Sequence, residues 1–318
     1  MSSIKTDWYF IVNPHAGSGK TMGEWVPAEQ KLDKLGITYQ TAYTNHKTHA
    51  TRLAYDAASE GYRKILAVGG DGSIHETFNG IMQWCDDNGC DPSDFILGVA
   101  PIGSGNDWIK STGVPHDVMK VADMLEDSRC RGKMDIIKVT RGDGKPCYMA
   151  NIGGLGFDSH VCKIVNLQKE SGKRGKRIYL NALLDTIRTL DPIEYQVVAD
   201  GEEKFSGLSY SLALGNGKYS GSGMRQVPLA DMNDGLLDVM IVPKLPLFKL
   251  LPEIPSLFTG KIHECGKVIY FQCREVHIVP LNASAEDIFE LDGEIEGRIP
   301  ITVSVDPRRI GILCAAEE

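Results

Sequence analysis

The sequence contains no stretch of ~20 uninterrupted apolar residues, so a membrane-spanning helix is not expected. Residues 1–8 are polar and lack the apolar core of a signal peptide, which argues against export. The eight cysteines include no C-x-x-C pair, a spacing that fits neither a zinc site nor a dense disulfide framework. They are expected to be reduced thiols in a cytoplasmic protein. A basic surplus is also missing. Lys and Arg number 34 against 42 Asp and Glu, a net charge of -8, which argues against a nucleic-acid partner but leaves room for a local basic face. No internal repeat or low-complexity linker is present. What is there is an ordinary globular balance, 42% hydrophobic and 24% charged, in 318 residues, enough for one large domain or two of usual size.

The first third alternates apolar runs with amphipathic helical patterns. Strands are predicted at 8–12, 37–43, 64–68 and 95–100, and helices at 25–35, 48–60 and 74–85. Continuously apolar strands separated by helices indicate a parallel sheet with helices on both faces. Ligands of such sheets gather at the carboxyl ends of the strands. An Asn-Pro loop and two glycine-rich loops fall at those ends. After about residue 135 the texture changes. Helical patterns remain at 158–168 and 178–190, followed by short strands with turns at Asp200-Gly201, Gly215-Asn216-Gly217, Asn233-Asp234-Gly235 and Asp292-Gly293. This spacing predicts an antiparallel sandwich or barrel. The expected division is a nucleotide-binding domain over 1–138, rejoined by 305–318, and a substrate domain over 139–304.

The strongest local signal is Gly69-Gly70-Asp71-Gly72-Ser73, with Glu76 on the helix that follows. Three glycines in four residues let backbone approach a phosphate chain, and a helix start offers it unpaired N–H groups. Asp71 beside phosphate calls for an intervening cation; a tight turn capped by Asp71 and Ser73 is the plainer alternative. Pro101-Ile102-Gly103-Ser104-Gly105-Asn106-Asp107 repeats the design after the next strand, with Asp107 a metal-side residue or a simple N-cap. Asn13-Pro14-His15-Ala16-Gly17-Ser18-Gly19-Lys20-Thr21 ends like a Walker A loop, but Pro14 stands at its first glycine position, so a P-loop is rejected. Leu291-Asp292-Gly293-Glu294 is a surface hairpin or the source of a proton-accepting carboxylate. The run from Ala230 through Asp231, Asp234 and Gly235 to Leu236 is an acidic turn or a cation loop, without the ligand pattern of an EF-hand.

Assembled, these motifs resemble the diacylglycerol kinase catalytic family, which includes bacterial soluble lipid kinases and, more distantly, sphingosine and ceramide kinases. The resemblance covers nearly the whole chain: Asn13-Pro14 with Gly17, Gly69 to Ser73 with Glu76, Pro101 with Gly103 to Asp107, Asp234-Gly235-Leu236-Leu237-Asp238, and Asp292-Gly293-Glu294. It implies an N-terminal α/β domain similar to phosphofructokinase and NAD kinase, followed by a β-sandwich. It also implies ATP contacts at Asn13, Pro14, Gly17, Thr44, Gly69, Gly70, Asp71, Gly72, Ser73, Glu76, Gly103, Ser104 and Asn106. A catalytic Mg²⁺ would be water-linked to Asp71 and Asp107, and a second, structural one would use Asp231, Asp234 and Leu236. Glu294 would accept the proton, with Asp71 and Asp292 completing the catalytic set. Ser73 replaces the commoner threonine and Ser104-Gly105 varies the usual Gly-Thr pair; both keep a hydroxyl. The further segments that phosphofructokinase and NAD kinase require are absent.

The implied activity is transfer of the ATP γ-phosphate to a lipid hydroxyl, with diacylglycerol giving phosphatidic acid. Alternatives are another lipid or polyol acceptor, such as a sphingoid base or undecaprenol, or a catalytically silent ATP- or lipid-binding regulator. Such an enzyme would sit in the cytoplasm, peripheral at the inner face of the membrane, with a homodimer left open. Lys169, Lys173, Arg174, Lys176 and Arg177 form a basic cluster suited to an anionic leaflet, or else a solvated helix end. Residues 246–258 are apolar enough for a lipid pocket or for ordinary core.

Overall fold

The computed structural model describes residues 5–103, 105–170, 186, 191–282 and 287–316. It divides into two compact units, one reaching Ile136 and taking back the chain from Pro307, the other Ile137–Asp306.

The first unit is built on parallel strands: β1 (Lys5–Val12), β2 (Tyr39–Tyr43), β3 (Tyr62–Gly69) and β4 (Ile96–Pro101). β1 lies between β2 and β3, β4 flanks β3, and Gly311 and Ile312 of the returning chain pair in parallel with Ile96 and Leu97. Ile65, Leu66, Ala67 and Val68 are consecutive and wholly buried, so both faces of β3 are covered, as a run without polar alternation requires. The connecting helices are α1 (Thr21–Leu35), α2 (His49–Ser59), α3 (Asp71–Asn88), α4 (Trp108–Thr112) and α5 (Val118–Met124).

Two features fix α3. Phe78, Ile81 and Met82 are fully buried, each contributing about 1.5–3 kcal/mol of apolar burial. Gly80 then lets α2 approach: a Cβ there would overlap the Thr51 carbonyl and lie 2.8 Å from the Ala54 Cβ. The helix starts at Asp71, three residues before the predicted start at 74, because Gly70 is its N-cap and the glycine motif forms its first turn.

The second unit takes the end of β5 (Arg131–Arg141), then β6 (Pro146–Met149), β7 (Ile152–Gly156), α6 (Phe157–Glu170), β8 (Ile193–Ala199), β9 (Glu202–Gly215) and β10 (Leu237–Pro243). The short helices α7 (Leu247–Leu250) and α8 (Ile254–Thr259) precede β11 (Ile269–Cys273), β12 (Glu275–Pro280), β13 (Ile288–Leu291), β14 (Glu294–Arg298) and β15 (Ile301–Leu313). Neighbouring strands run antiparallel in the order β14-β13-β7-β9-β8-β12-β15, and β10 joins β9 to β11. The long β9 pairs with β8 along its first half and with β7 and β10 along its second. Tyr195, Val197 and Ala199, Leu212 and Leu214, and Val239 and Ile241 alternate into one core with the period of two of a strand, while Ala213 and Met240, between them, join a second apolar cluster.

All eight cysteines are free thiols. No helix among the described residues is long and apolar enough to cross a membrane. Ser104, the side chain of Lys169, the basic residues Lys173, Arg174, Lys176 and Arg177, and the helical pattern at 178–190 apart from Thr186 lie outside what the structure describes.

Candidate active site

Three loops meet at the carboxyl edge of the parallel sheet. The Asn13 N–H donates to the Val68 carbonyl at 2.9 Å, the Thr44 N–H to the Val12 carbonyl at 2.9 Å, and the Ile102 N–H to the Gly69 carbonyl at 2.8 Å. The ends of all four strands are thereby tied together. Glycine is required where the loops touch. A Cβ on Gly103 would lie 2.9 Å from the Gly70 Cα, and one on Gly17 would lie 2.9 Å from the Ile102 Cγ2. A Cβ on Gly69 would overlap the Ser73 hydroxyl. Gly17 also has φ +54°, in the left-handed region. Asn13, Pro14, Gly17, Thr44, Gly69, Gly70, Gly72, Ser73, Gly103 and Asn106 are therefore gathered at one edge, beside the N-terminus of the 18-residue α3. A helix start and bare backbone together suit an anion.

The polar side chains here have identifiable partners. Asp71 Oδ1 accepts the Trp108 N–H at 3.2 Å and so ties the first glycine loop to the start of α4. Asp107 is almost fully buried and pairs with Lys110 at 2.5 Å. Glu76 accepts the Thr48 N–H at 2.9 Å and the Ala50 N–H at 3.1 Å, which caps α2 and anchors the loop after Thr44. Asn106, at φ +50°, donates from Nδ2 to the Gly103 carbonyl at 3.2 Å, while its buried Oδ1 has no partner among the described residues. An unsatisfied buried acceptor costs about 1–3 kcal/mol, so a donor is expected at the crossing of the two loops.

In the second unit, Asp292 and Gly293 form the two-residue turn between β13 and β14, at φ +53° and +87°. The turn is more than a surface hairpin. Asp292 accepts the Ala150 N–H at 2.9 Å through Oδ2 and the Asn151 N–H at 2.8 Å through Oδ1, while Glu290 accepts the Gly293 N–H at 2.8 Å. Both Asp292 oxygens thus position backbone, and half-buried Glu294 begins β14 directly beyond. Asn151 extends the network, donating to the Tyr219 carbonyl at 2.8 Å, while its own carbonyl accepts the Asn216 and Gly217 N–H groups. Sequence reasoning missed Asn151 and Glu290; the only hint was the Gly215-Asn216-Gly217 turn, taken as a plain loop.

The 230–236 loop holds two carboxylates, each accepting a backbone N–H two residues on. Asp231 takes the Asn233 N–H at 3.0 Å and Asp234 the Leu236 N–H at 2.9 Å, both residues being exposed. Carboxylate and backbone oxygens suit a hard divalent cation. Next to this loop, Asp238 is buried and accepts the Tyr270 hydroxyl at 2.5 Å, and burial raises its carboxyl pKa. No group of three or more His, Cys, Asp or Glu residues that could hold a metal is present among the described residues.

A second polar centre, not anticipated from the sequence, lies at the start of α6. Asp158 is half-buried, accepts the Ser211 hydroxyl at 2.9 Å and the Gln226 side-chain amide, and desolvation raises its carboxyl pKa. Ser211 and Gln226 line a cavity of about 150 Å³ whose other lining is largely apolar. Part of its wall comes from residues 246–258, including Leu250, Ile254 and Leu257. That segment is cavity wall, not solid core.

Residues 7–139 match the diacylglycerol kinase catalytic domain, and residues 152–314 match the YegS C-terminal NAD kinase beta sandwich-like domain. The chain belongs to this family and is a lipid kinase of the diacylglycerol kinase type, a phosphotransferase that uses ATP. A diacylglycerol kinase of Bacillus subtilis is 29% identical over 295 residues, covering 91% of this chain and 90% of its own length. A diacylglycerol kinase of Mycobacterium tuberculosis is 24% identical over 303 residues, covering 95% and 93%. The crystal structure of a diacylglycerol kinase from Bacillus anthracis superimposes with a TM-score of 0.72 at 21% identity, covering 97% of each chain. That likeness establishes the α/β unit followed by a sandwich-like unit.

Proposed function

We propose that the enzyme transfers the γ-phosphoryl group of ATP to the free hydroxyl of diacylglycerol, giving phosphatidic acid and ADP. One observation carries the nucleotide half of this reading: Gly17, Gly70 and Gly103 let three loops pack closely at the N-terminus of α3. ATP phosphates would lie against Gly69 to Ser73 and Gly103, with Asn13, Pro14, Gly17, Thr44 and Asn106 completing the nucleotide contacts. Glu76 would serve by anchoring the loop after Thr44. The acceptor oxygen attacks the γ-phosphorus as the bond to the ADP oxygen breaks, and Glu294 takes the hydroxyl proton. Asp292 is a positioning residue on this reading, since both its oxygens hold backbone amides.

The donors at the sheet edge fit magnesium: oxygen ligands on Asp71 and Asp107, and an unpartnered buried acceptor on Asn106. Asp71 and Asp107 would hold it through water, and when bound it would neutralise charge on the transferring phosphoryl group. Asp231, Asp234 and the Leu236 carbonyl would hold a second ion that stiffens the loop before β10.

The decisive assay follows labelled phosphate from ATP into vesicles containing diacylglycerol, a sphingoid base or undecaprenol, and into a soluble polyol. Expected is transfer to diacylglycerol that stops when EDTA removes magnesium. Transfer only to another acceptor would overturn the substrate assignment. ATP binding without transfer to any acceptor would overturn the catalytic roles given to Asp71 and Glu294.

A further inference from the structure

The segment 244–261 faces two ways. Leu250, Ile254 and Leu257 line the cavity, while Phe248 is 72% exposed. Leu251 and Phe258 do both: they line the cavity and are 46% and 53% exposed. Through Leu251 and Phe258 the apolar lining, which also holds Glu253, reaches the outer surface of the segment. Clustered large apolar side chains in water mark an interaction surface, whereas scattered ones do not.

Charge narrows the choice of partner. Lys244, Lys249 and Lys261 are exposed, whereas Glu253, the one acid in the segment, pairs with Lys267 at 2.5 Å. In a chain of net charge -8 this short stretch presents cationic and aromatic groups together. That pairing is characteristic of segments that lie in the boundary between headgroups and acyl chains. The local structure also permits movement. α7 and α8 span only Leu247–Leu250 and Ile254–Thr259, Pro252 and Pro255 interrupt the segment, and Gly260 at φ +76° ends it. Helices of that length have little stability of their own.

We propose that residues 244–261 are the element by which the enzyme docks on an anionic lipid bilayer. Phe248, Leu251 and Phe258 enter the acyl boundary, and Lys244, Lys249 and Lys261 meet the headgroups. An aliphatic chain then passes from the bilayer into the cavity behind Leu250, Ile254 and Leu257 without crossing water. The inference rests on the chain being a lipid kinase, not on diacylglycerol being its acceptor.

The test uses the full chain without ATP or acceptor, so a wrong substrate assignment cannot affect it. Co-sedimentation is measured with vesicles of pure phosphatidylcholine and of phosphatidylcholine with phosphatidylglycerol. Wild type is expected to bind the anionic vesicles. Phe248→Ser should weaken that binding about tenfold, and Lys244→Glu with Lys249→Glu and Lys261→Glu should weaken it at least as much, each with an unchanged melting temperature. In a Phe248→Trp variant the emission should shift to the blue on anionic vesicles, against a steady background because Trp8, Trp25, Trp84 and Trp108 are buried. Absence of wild-type binding, or variants that sediment like wild type, would overturn the proposal. So would Phe248→Ser turning a dimer into a monomer while vesicle binding persists, since the face would then cover a second copy.

Discussion

The two units carry their candidate functional groups in opposite ways. In the first, the work falls to backbone: glycines at 17, 69, 70 and 103 remove side chains so that loops can touch and amides can face a ligand. In the second it falls to side chains: Asp292, Glu290 and Asn151 pin a turn, and Asp158, Ser211 and Gln226 form a polar patch on an apolar cavity. Each loop of a backbone site must be contiguous, because a glycine acts only on its own loop. A side-chain network can draw its members from distant strands. The first kind of site is therefore written as a motif and the second is not.

The sharpest way to break the comparison is to remove a carboxylate in the glycine edge that ties the first glycine loop to the start of α4. Asp71→Ala should lower kcat by about 10³-fold, the scale of losing one preorganised electrostatic group. The lost Trp108 N–H bond should cost as much as a lost helix cap, about 1 kcal/mol. Turnover within tenfold of wild type in a folded Asp71→Ala enzyme would mean that this edge does not handle the phosphates.

Asp292→Ala asks the converse question of the second unit. The change strands the Ala150 and Asn151 N–H groups and should destabilise by about 2–4 kcal/mol, read by urea denaturation. Asp292→Asn keeps one acceptor and should recover about half of the loss. A large fall in kcat at unchanged stability would instead make Asp292 catalytic, and the contrast between the units would weaken.

Gly80→Ala separates close packing from chemistry within the first unit. Its Cβ would press on Ala54 and the Thr51 carbonyl, an overpacking cost of about 1–3 kcal/mol. Because α3 carries the Gly69 to Ser73 turn at its start, KM for ATP should rise more than kcat falls. A stability loss with no change in KM would show the helix start to be held by its own loop contacts.

The legible part of the molecule was the part governed by local rules. The unbroken apolar run 65–68 marked a strand covered on both faces, and Gly70 with its neighbours marked the loop that begins α3. Asp292-Gly293 announced a tight turn, which it is, but not that the aspartate reaches back to Ala150 and Asn151, more than 140 positions away. The segment 246–258 was apolar on any reading; whether it was core or pocket depended on β10, which supplies Met240 and Val242 to the same cavity. Asp158 gave no signal at all. A lone acid at a helix start reads as a cap, and only the fold places it in apolar surroundings with Ser211 and Gln226.

Asp158 also supplies the smallest effect, one that a backbone site cannot produce. Burial raises its carboxyl pKa, and the hydrogen bonds from Gln226 and Ser211 only partly oppose that rise. In the unfolded chain the group titrates near its ordinary value of about 3.9. Between that value and the raised folded one, the folded state binds more protons than the unfolded state. Stability therefore declines as pH rises across this window and levels off above the folded pKa. Each unit of upward shift is worth about 1.4 kcal/mol at the alkaline end. Asp158→Asn cannot titrate, and the amide of Gln226 can turn its now unpartnered Oε1 toward the new donor. Melting temperatures of wild type and variant, followed from pH 4.5 to 8, should thus diverge with rising pH, the wild type losing ground by a few degrees. Asp238, raised by burial in the same direction, remains in both proteins and leaves a common slope. Parallel curves would mean that the Asp158 proton equilibrium is the same folded and unfolded, and that this patch is no more strained than the glycine edge of the first unit.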